Sequence, residues 1–586
     1  MKKTLLKPMS AVLALLSVIP NINLASVLAE GDAPTFSTDV KHEGEAIEGG
    51  ILKQALVSDT TFPGVFNNMY YSSNPDTAVI NLFAESLFGY DENFTIDNSG
   101  FADVEFNKDD KTVKITIPEG VKWHDGEDVT IDDVIYPYYV VGNKDYTGIR
   151  YGEDFMNVEG MEEYHNGDAE EISGLERVDD YTLVVHYKTF SNSMLQAGGG
   201  VSAYIEPEHI FKDIPIAEQE DSDAVRSNLV GFGPFKVDKI TPGEAVTFVR
   251  NDDYYRGAPA LDGVTVEIVN PSTIIQEMKA GNYDIASLPA DQYETFKDAK
   301  NFDVLGQVSN AYTYIGFNLG TWDEEKGEVV YDDTKLTANK ALRQAMAYAM
   351  DNDAVGAEFY HGLRMNANSH IPSFFKDYNN ADQEGYHYDP EKAKQLLADA
   401  GFVDKNGDGF VEDPDGNEFT LHFASMSGGE TAEPLAQYYI QAWQQVGIKV
   451  ELTDGKLMEM NSFYERVEAN DEGIDVYQGA WGTGGDPNPT GLWGRNSPFN
   501  YTRFASEEND KLLAAINSDE AFDKDFRVKA FNDWQAYFID EVPAIPTLFR
   551  QELTAVNKRV SQYDIKTGSD LEWSEIKLLS DKPQAE

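Results

Sequence analysis

Polar and apolar residues alternate over 111–117 and again over 181–187, the period of strands with one buried face. Gly231-Phe-Gly-Pro-Phe235 punctuates the chain before another strand run at 245–250. Helical spacing becomes clear in the second half, first over 338–350. Asp389, Pro390 and Glu391 then supply an N-cap, a first-turn proline and an early acid, and Gly401 closes that helix. Residues 432–445 form a helical pattern that passes through Gly447 into a strand at 448–452, an αβ unit. Two more helices are predicted at 506–517 and 525–539. Residues 30–50, rich in Gly, Asp and Glu, read as a linker. A β-rich first half followed by an αβ-rich second half predicts separate lobes rather than one sheet.

Length and composition narrow this picture. At ~150 residues per domain, 586 residues predict about four compact units, or two lobes with an insertion. With 41% apolar residues, the bulk of the chain has material for real cores. Residues 1–29 read as an export signal: Lys2, Lys3 and Lys7, a short apolar run from Met9 to Ile19, Pro20, then Val27-Leu28-Ala29 as a small-x-small cleavage pattern. The apolar run falls short of the ~20 residues that span a bilayer, so the expected protein is exported and soluble. The net charge of −56, from 46 basic and 102 acidic residues, repels phosphate backbones and argues against nucleic acid as a partner. With no cysteine, disulfides, thiol nucleophiles and thiolate metal sites are excluded.

Catalytic constellations are sparse. No H-E-x-x-H, G-x-S-x-G or phosphate-loop motif occurs, and the nine histidines are scattered without ligand spacing. Any two of the 102 carboxylates could form an acid/base pair, so a secreted hydrolase stays open as an alternative class. One stretch has ligand spacing for a hard cation. Asp404, Asn406 and Asp408 stand at positions 1, 3 and 5, Gly409 at the turn, the Phe410 carbonyl at position 7 and Asp415 at position 12. The expectation is a structural Ca²⁺ clip; the competing one is a tight Asx/Gly turn that never sees metal.

A series of phrases then stands in order along the chain. The first half holds Phe83-Ala-Glu-Ser-Leu-Phe-Gly-Tyr-Asp91, Ile117-Pro-Glu-Gly-Val-Lys-Trp-His-Asp-Gly-Glu-Asp-Val-Thr130, Gly231-Phe-Gly-Pro-Phe235, Asn251-Asp-Asp-Tyr-Tyr255 and Gly281-Asn-Tyr-Asp-Ile285. The second half adds Leu342-Arg-Gln-Ala-Met-Ala-Tyr-Ala-Met-Asp351, Tyr388-Asp-Pro-Glu-Lys-Ala-Lys-Gln-Leu-Leu397, Ile474-Asp-Val-Tyr-Gln-Gly-Ala-Trp481 and Pro543-Ala-Ile-Pro-Thr-Leu548. Together these resemble the large oligopeptide- and dipeptide-binding proteins of bacterial ABC importers, the family 5 or cluster C solute-binding proteins, and most of all the Gram-positive oligopeptide receptors.

The resemblance implies an α/β protein with a two-lobed periplasmic-binding-protein type II (flytrap) fold and an extra β-rich subdomain in the first lobe. Lobe 1 would comprise 51–80, 229–311 and 543–586, the inserted subdomain 81–228, and lobe 2 residues 312–542. It implies a non-enzymatic monomer that binds oligopeptides in the cleft, needs no cofactor, and delivers to a membrane permease and ATPase. A sensor of one signalling peptide is the alternative on the same fold; dipeptides, nickel and haem are also carried by this scaffold. By resemblance, the strand at Gly479, Ala480, Trp481 and Gly482 pairs with the peptide backbone, with Trp481 packing on the ligand. Gram-negative relatives place an Asp three residues after that Trp to hold the peptide α-ammonium. Here that position is Gly484, leaving Asp486 as the nearest candidate anchor. Gram-positive relatives are held by an acylated Cys, which this chain lacks. Release, retention by the transporter or another partner, or a sequence altered at that point are the readings that follow.

Overall fold

A computed structural model describes residues 34–58 and 60–586; the expected signal segment, 1–29, lies outside the described residues. Eleven strands form one hydrogen-bonded sheet. In chain order they are β1 (Ile51–Val57), β2 (Phe235–Thr241), β3 (Ala245–Arg250), β4 (Gly263–Val269), β5 (Ile285–Leu288), β6 (Phe302–Phe317), β7 (Arg364–Asn366), β8 (Leu421–Ala424), β9 (Val450–Leu452), β10 (Val476–Gly482) and β11 (Ala544–Asn557). Their spatial order is β9-β8-β10-β6-β11-β5-β1-β4-β3-β2, with β7 also paired to β11.

The chain therefore does not form two separate sheets, as the alternating patterns predict. β6 and β11, at 16 and 14 residues, are long enough to pair in both halves. At ~3.3 Å per residue such strands run roughly 50 Å. Their far ends, Phe302–Val308 against Gln551–Asn557, lie beside β5 of the first half, and their near ends, Tyr312–Gly316 against Ala544–Phe549, lie beside β10 of the second. Between them the pairing breaks register from Val308 to Tyr312. On β11 the matching gap falls at Arg550, between Phe549 and Gln551. Burial follows the same division. One core gathers residues from Tyr312 to Phe549, and two smaller ones lie under β1–β5. A separate core spans Val65 to Phe232.

That separate core backs a four-stranded antiparallel sheet in the order Asp103–Asn107, Thr112–Thr116, Thr182–His186, Leu175–Arg177. Val113, Ile115, Leu183 and Val185 point inward with strand period, so both alternating segments of the sequence are strands. The helices are equally local in origin. Asp389 caps Pro390–Asp399 by accepting from the Lys392 N–H at 2.9 Å, and Gly401 leaves the helix at φ +89°. Ala432–Gln445 is helical over its predicted span, while Asn339, accepting from the Leu342 N–H, starts its helix at Lys340 rather than 338.

Within residues 34–50, where a linker is expected, the backbone is paired. Asp39–Lys41 is a strand paired with Gln562–Asp564, and the Ile47 N–H donates to the Leu578 carbonyl. Short polar runs carry no period that reveals such pairing with a segment more than 500 residues away. No helix among the described residues is long and apolar enough to cross a membrane.

Candidate functional site

β10 begins between two neighbours and loses one. Val476 and Tyr477 pair with β8 on one side, and all of Val476–Gly482 pairs with β6 on the other. After Ala424 the chain leaves the sheet: Met426 bridges Met458, the Ser427 N–H donates to the Met458 carbonyl, and the Met458 N–H donates back to Ser425. Among the described residues no strand covers the outer edge of Gln478–Gly482. This edge contains all four predicted strand residues, Gly479, Ala480, Trp481 and Gly482. An exposed row of backbone N–H and C=O groups is a template for an extended chain, whatever its side chains.

The side chains around the edge are aromatic. The Trp481 ring lies 5.3 Å from Tyr501 and 6.0 Å from Phe499, which is 50% exposed. Trp481 is itself half-buried, and its indole Nε1–H is enclosed without a hydrogen-bond partner. Tyr464, on the helix Met460–Glu468, stands 6.4 Å from Tyr501. Burial raises the Tyr464 phenol pKa, partly offset by the Ala480 N–H against which its hydroxyl lies. Gly479 has a steric reason: an added Cβ would meet the Tyr314 ring at 2.9 Å, whereas at Gly482 it would meet nothing within 4 Å. Tyr464, Phe499 and Tyr501 carry no signal in the sequence, since aromatics at those spacings look like core.

Asp486, the candidate ammonium anchor, is engaged by neighbouring groups. Its carboxylate stands 3.5 Å from the Arg527 guanidinium and accepts from the Asn488 N–H at 3.1 Å. Burial raises its pKa, opposed by Arg527 and Ser193. Arg527 also donates to Asn192, and the Asn488 side chain donates to Ser193 at 3.2 Å, so this segment ties the inserted subdomain to the helix Lys524–Glu541. Gly484, where Gram-negative relatives carry Asp, has φ +67°, a turn conformation that glycine adopts without strain.

The Asp404–Asp415 loop, whose spacing fits either a calcium clip or a tight Asx/Gly turn, hydrogen-bonds to its own backbone. Asp404 accepts from the Gly407 and Gly409 N–H groups at 2.6 and 3.0 Å. Asn406 accepts from the Asp408 N–H, and Asp408 accepts from the N–H of Phe410. Among the described residues no group of three or more His, Asp or Glu side chains could hold a metal ion. Spacing alone cannot separate an Asx turn from a cation loop, because both need Asp or Asn beside Gly.

Comparison with known proteins places this geometry. Residues 79–503 match the model of bacterial extracellular solute-binding proteins, family 5 (middle). The oligopeptide-binding protein OppA of Lactococcus lactis subsp. lactis is 33% identical over 506 residues, covering 85% of this chain and 84% of that protein. The oligopeptide-binding protein AppA of Bacillus subtilis is 27% identical, covering 88% and 89%. Lactococcal OppA, solved with an endogenous peptide in the closed conformation, superposes with a TM-score of 0.81 at 31% identity, covering 90% of this chain and all of that one. The fold is accordingly the two-lobed α/β type expected from the resemblance, and the chain belongs to the bacterial extracellular solute-binding proteins, family 5.

Proposed function

We propose that this protein is an extracytoplasmic receptor that captures oligopeptides between its lobes and passes them to the permease and ATPase of an ABC importer. The observation that carries the reading is the uncovered edge Gln478–Gly482 beside the Trp481 aromatic group. An extended peptide adds there as a further strand through its backbone, and its side chains meet a platform without fixed polar demands. Two relatives named as oligopeptide-binding proteins, one solved around an endogenous peptide, support the same reading. Lobe 2 in this proposal begins after the register break at 308–312 and ends near Arg550. Lobe 1 takes 51–80, 229–308 and the chain after 550, with 81–228 inserted. The protein binds without turnover and needs no cofactor.

Native mass spectrometry of the purified protein, before and after exposure to a mixed peptide pool, tests this. Intact peptides should be retained and returned; fragments would favour the hydrolase class, and no retention would end the proposal. Because Asp486 is engaged by Arg527, free and N-acetylated forms of one peptide should bind within about 10-fold of each other. A loss of about a hundredfold on acetylation contradicts it. Trp481→Ala should weaken peptide binding about 10–100-fold, the range of a contacting aromatic anchor. Since the ring is only half-buried, the melting temperature should change little. Unchanged affinity removes Trp481 from the site.

A further inference from the structure

Charged groups at the crossing between the halves do not balance. Arg364 of β7 and Arg550 of β11 are register partners. Arg364 already has an anion, its Nη1 lying 3.4 Å from the Glu552 carboxylate. Arg550 has none: its Nε is buried without a hydrogen-bond partner, and no ion pair reaches it among the described residues. The groups acting on it are Arg364, Glu552, Tyr360 and Tyr464. Two guanidiniums and one carboxylate leave one positive charge in excess. Burial first, then Arg364, presses its pKa downward, as expected for a cation short of an anion.

A half-buried cation without a partner is costly, and in a chain of net charge −56 anions are abundant. Only Glu552, already engaged by Arg364, is brought here. The position also points towards the uncovered edge. β11 is two strands from β10, and Tyr464, on which Arg550 acts, lies against the Ala480 N–H of that edge. Arg550 thus stands where the two halves meet, next to the groups proposed to receive a peptide.

We propose that Arg550 is a ligand-binding residue that receives a carboxylate of the bound peptide, a reading that rests on the proposed peptide-binding function. A guanidinium offers a planar pair of N–H donors matched to two carboxylate oxygens, which gives orientation as well as affinity. The carboxylate has two sources, the peptide C-terminus or an Asp or Glu side chain. Discrimination here would be for an acidic group, although the backbone edge is indifferent to sequence.

Calorimetric titration with one tyrosine-containing peptide in four forms tests it: the free acid, the C-terminal amide, and the amide with a central Glu or Gln. Against wild type, Arg550→Gln should weaken the carboxylate-bearing form about 10-fold or more and the neutral amide less than about 3-fold. A selective loss on the free acid assigns the C-terminus; on the Glu form, the side chain. Arg550→Lys, which keeps the charge without the fork, should fall between. Because Arg550 lacks a partner in the ligand-free protein, Arg550→Gln should not lower the melting temperature. Equal losses for acid and neutral peptides, or no loss for any form, overturn the proposal. A wild-type protein that binds none of the four sinks the peptide reading itself, and this one with it.

Discussion

Asp284→Ala should lower the unfolding free energy by about 3–5 kcal/mol, and Arg559→Ala by a similar amount. Both side chains are buried, with exposures of 0% and 2%, and they pair through two bonds of 2.6 Å each. The pair is itself enclosed by donors and acceptors. The Lys53 N–H donates to Asp284 at 2.8 Å, while Arg559 donates to the carbonyls of Ile51, Ser580 and Asp581. It therefore ties β1, the start of β5 and the C-terminal tail of the first half into one unit. The net worth of a satisfied buried pair is small, because desolvation offsets attraction; removing one partner strands a charge, and that term dominates. The exposed pair Lys511–Glu508, at 74% and 50% exposure, is the contrast: Glu508→Ala should change stability by less than about 0.5 kcal/mol. Urea unfolding followed by fluorescence reads both. Losses below about 1 kcal/mol at Asp284 and Arg559 would show that the pair does not hold the first half together.

Acid should unfold this protein partly through one residue, and His370→Phe should blunt that sensitivity. His370 is buried among Tyr312, Trp493 and Phe538, at ring distances of 5.5, 5.2 and 4.9 Å, and its Nε2 has no hydrogen-bond partner. Burial lowers its pKa from 6.5 to about 3. Between those values the unfolded chain binds a proton that the folded one refuses, so stability falls as pH drops from 6.5 towards 3 and is unaffected above that window. The full shift corresponds to about 5 kcal/mol. Glu206 acts with the opposite sign: burial raises its pKa to about 8, so stability falls as pH rises from 4.5 through 8. The wild-type curve mixes both slopes. The difference between wild type and His370→Phe isolates the first. If the two proteins lose stability in parallel between pH 6.5 and 3, His370 is not the proton-refusing group.

The legible features share a range. Asp389, Pro390 and Gly401 name both ends of their helix because caps act within a turn. The two alternating runs became paired strands because one face of each meets the same core. Gly479–Gly482 was identifiable by resemblance, but the sequence held no sign that β8 would veer off after Ala424 and bare that edge. Asp486 looked available because its partner, Arg527, is on a helix well beyond it in the chain. The Asp404 loop is ambiguous for a different reason: the residues that turn a chain tightly are also those that ligate calcium.

By itself the sequence determined the local elements and the family. Periodicity, capping and composition act between near neighbours, so one strand of text carries them. Tertiary structure alone decided that β6 and β11 join both halves in one sheet, that Asp284 finds Arg559 across 275 positions, and that Arg550 forms no ion pair among the described residues. Charge pairing and edge exposure depend on which distant segments the fold brings within a few ångströms, and that distance is written in no local pattern.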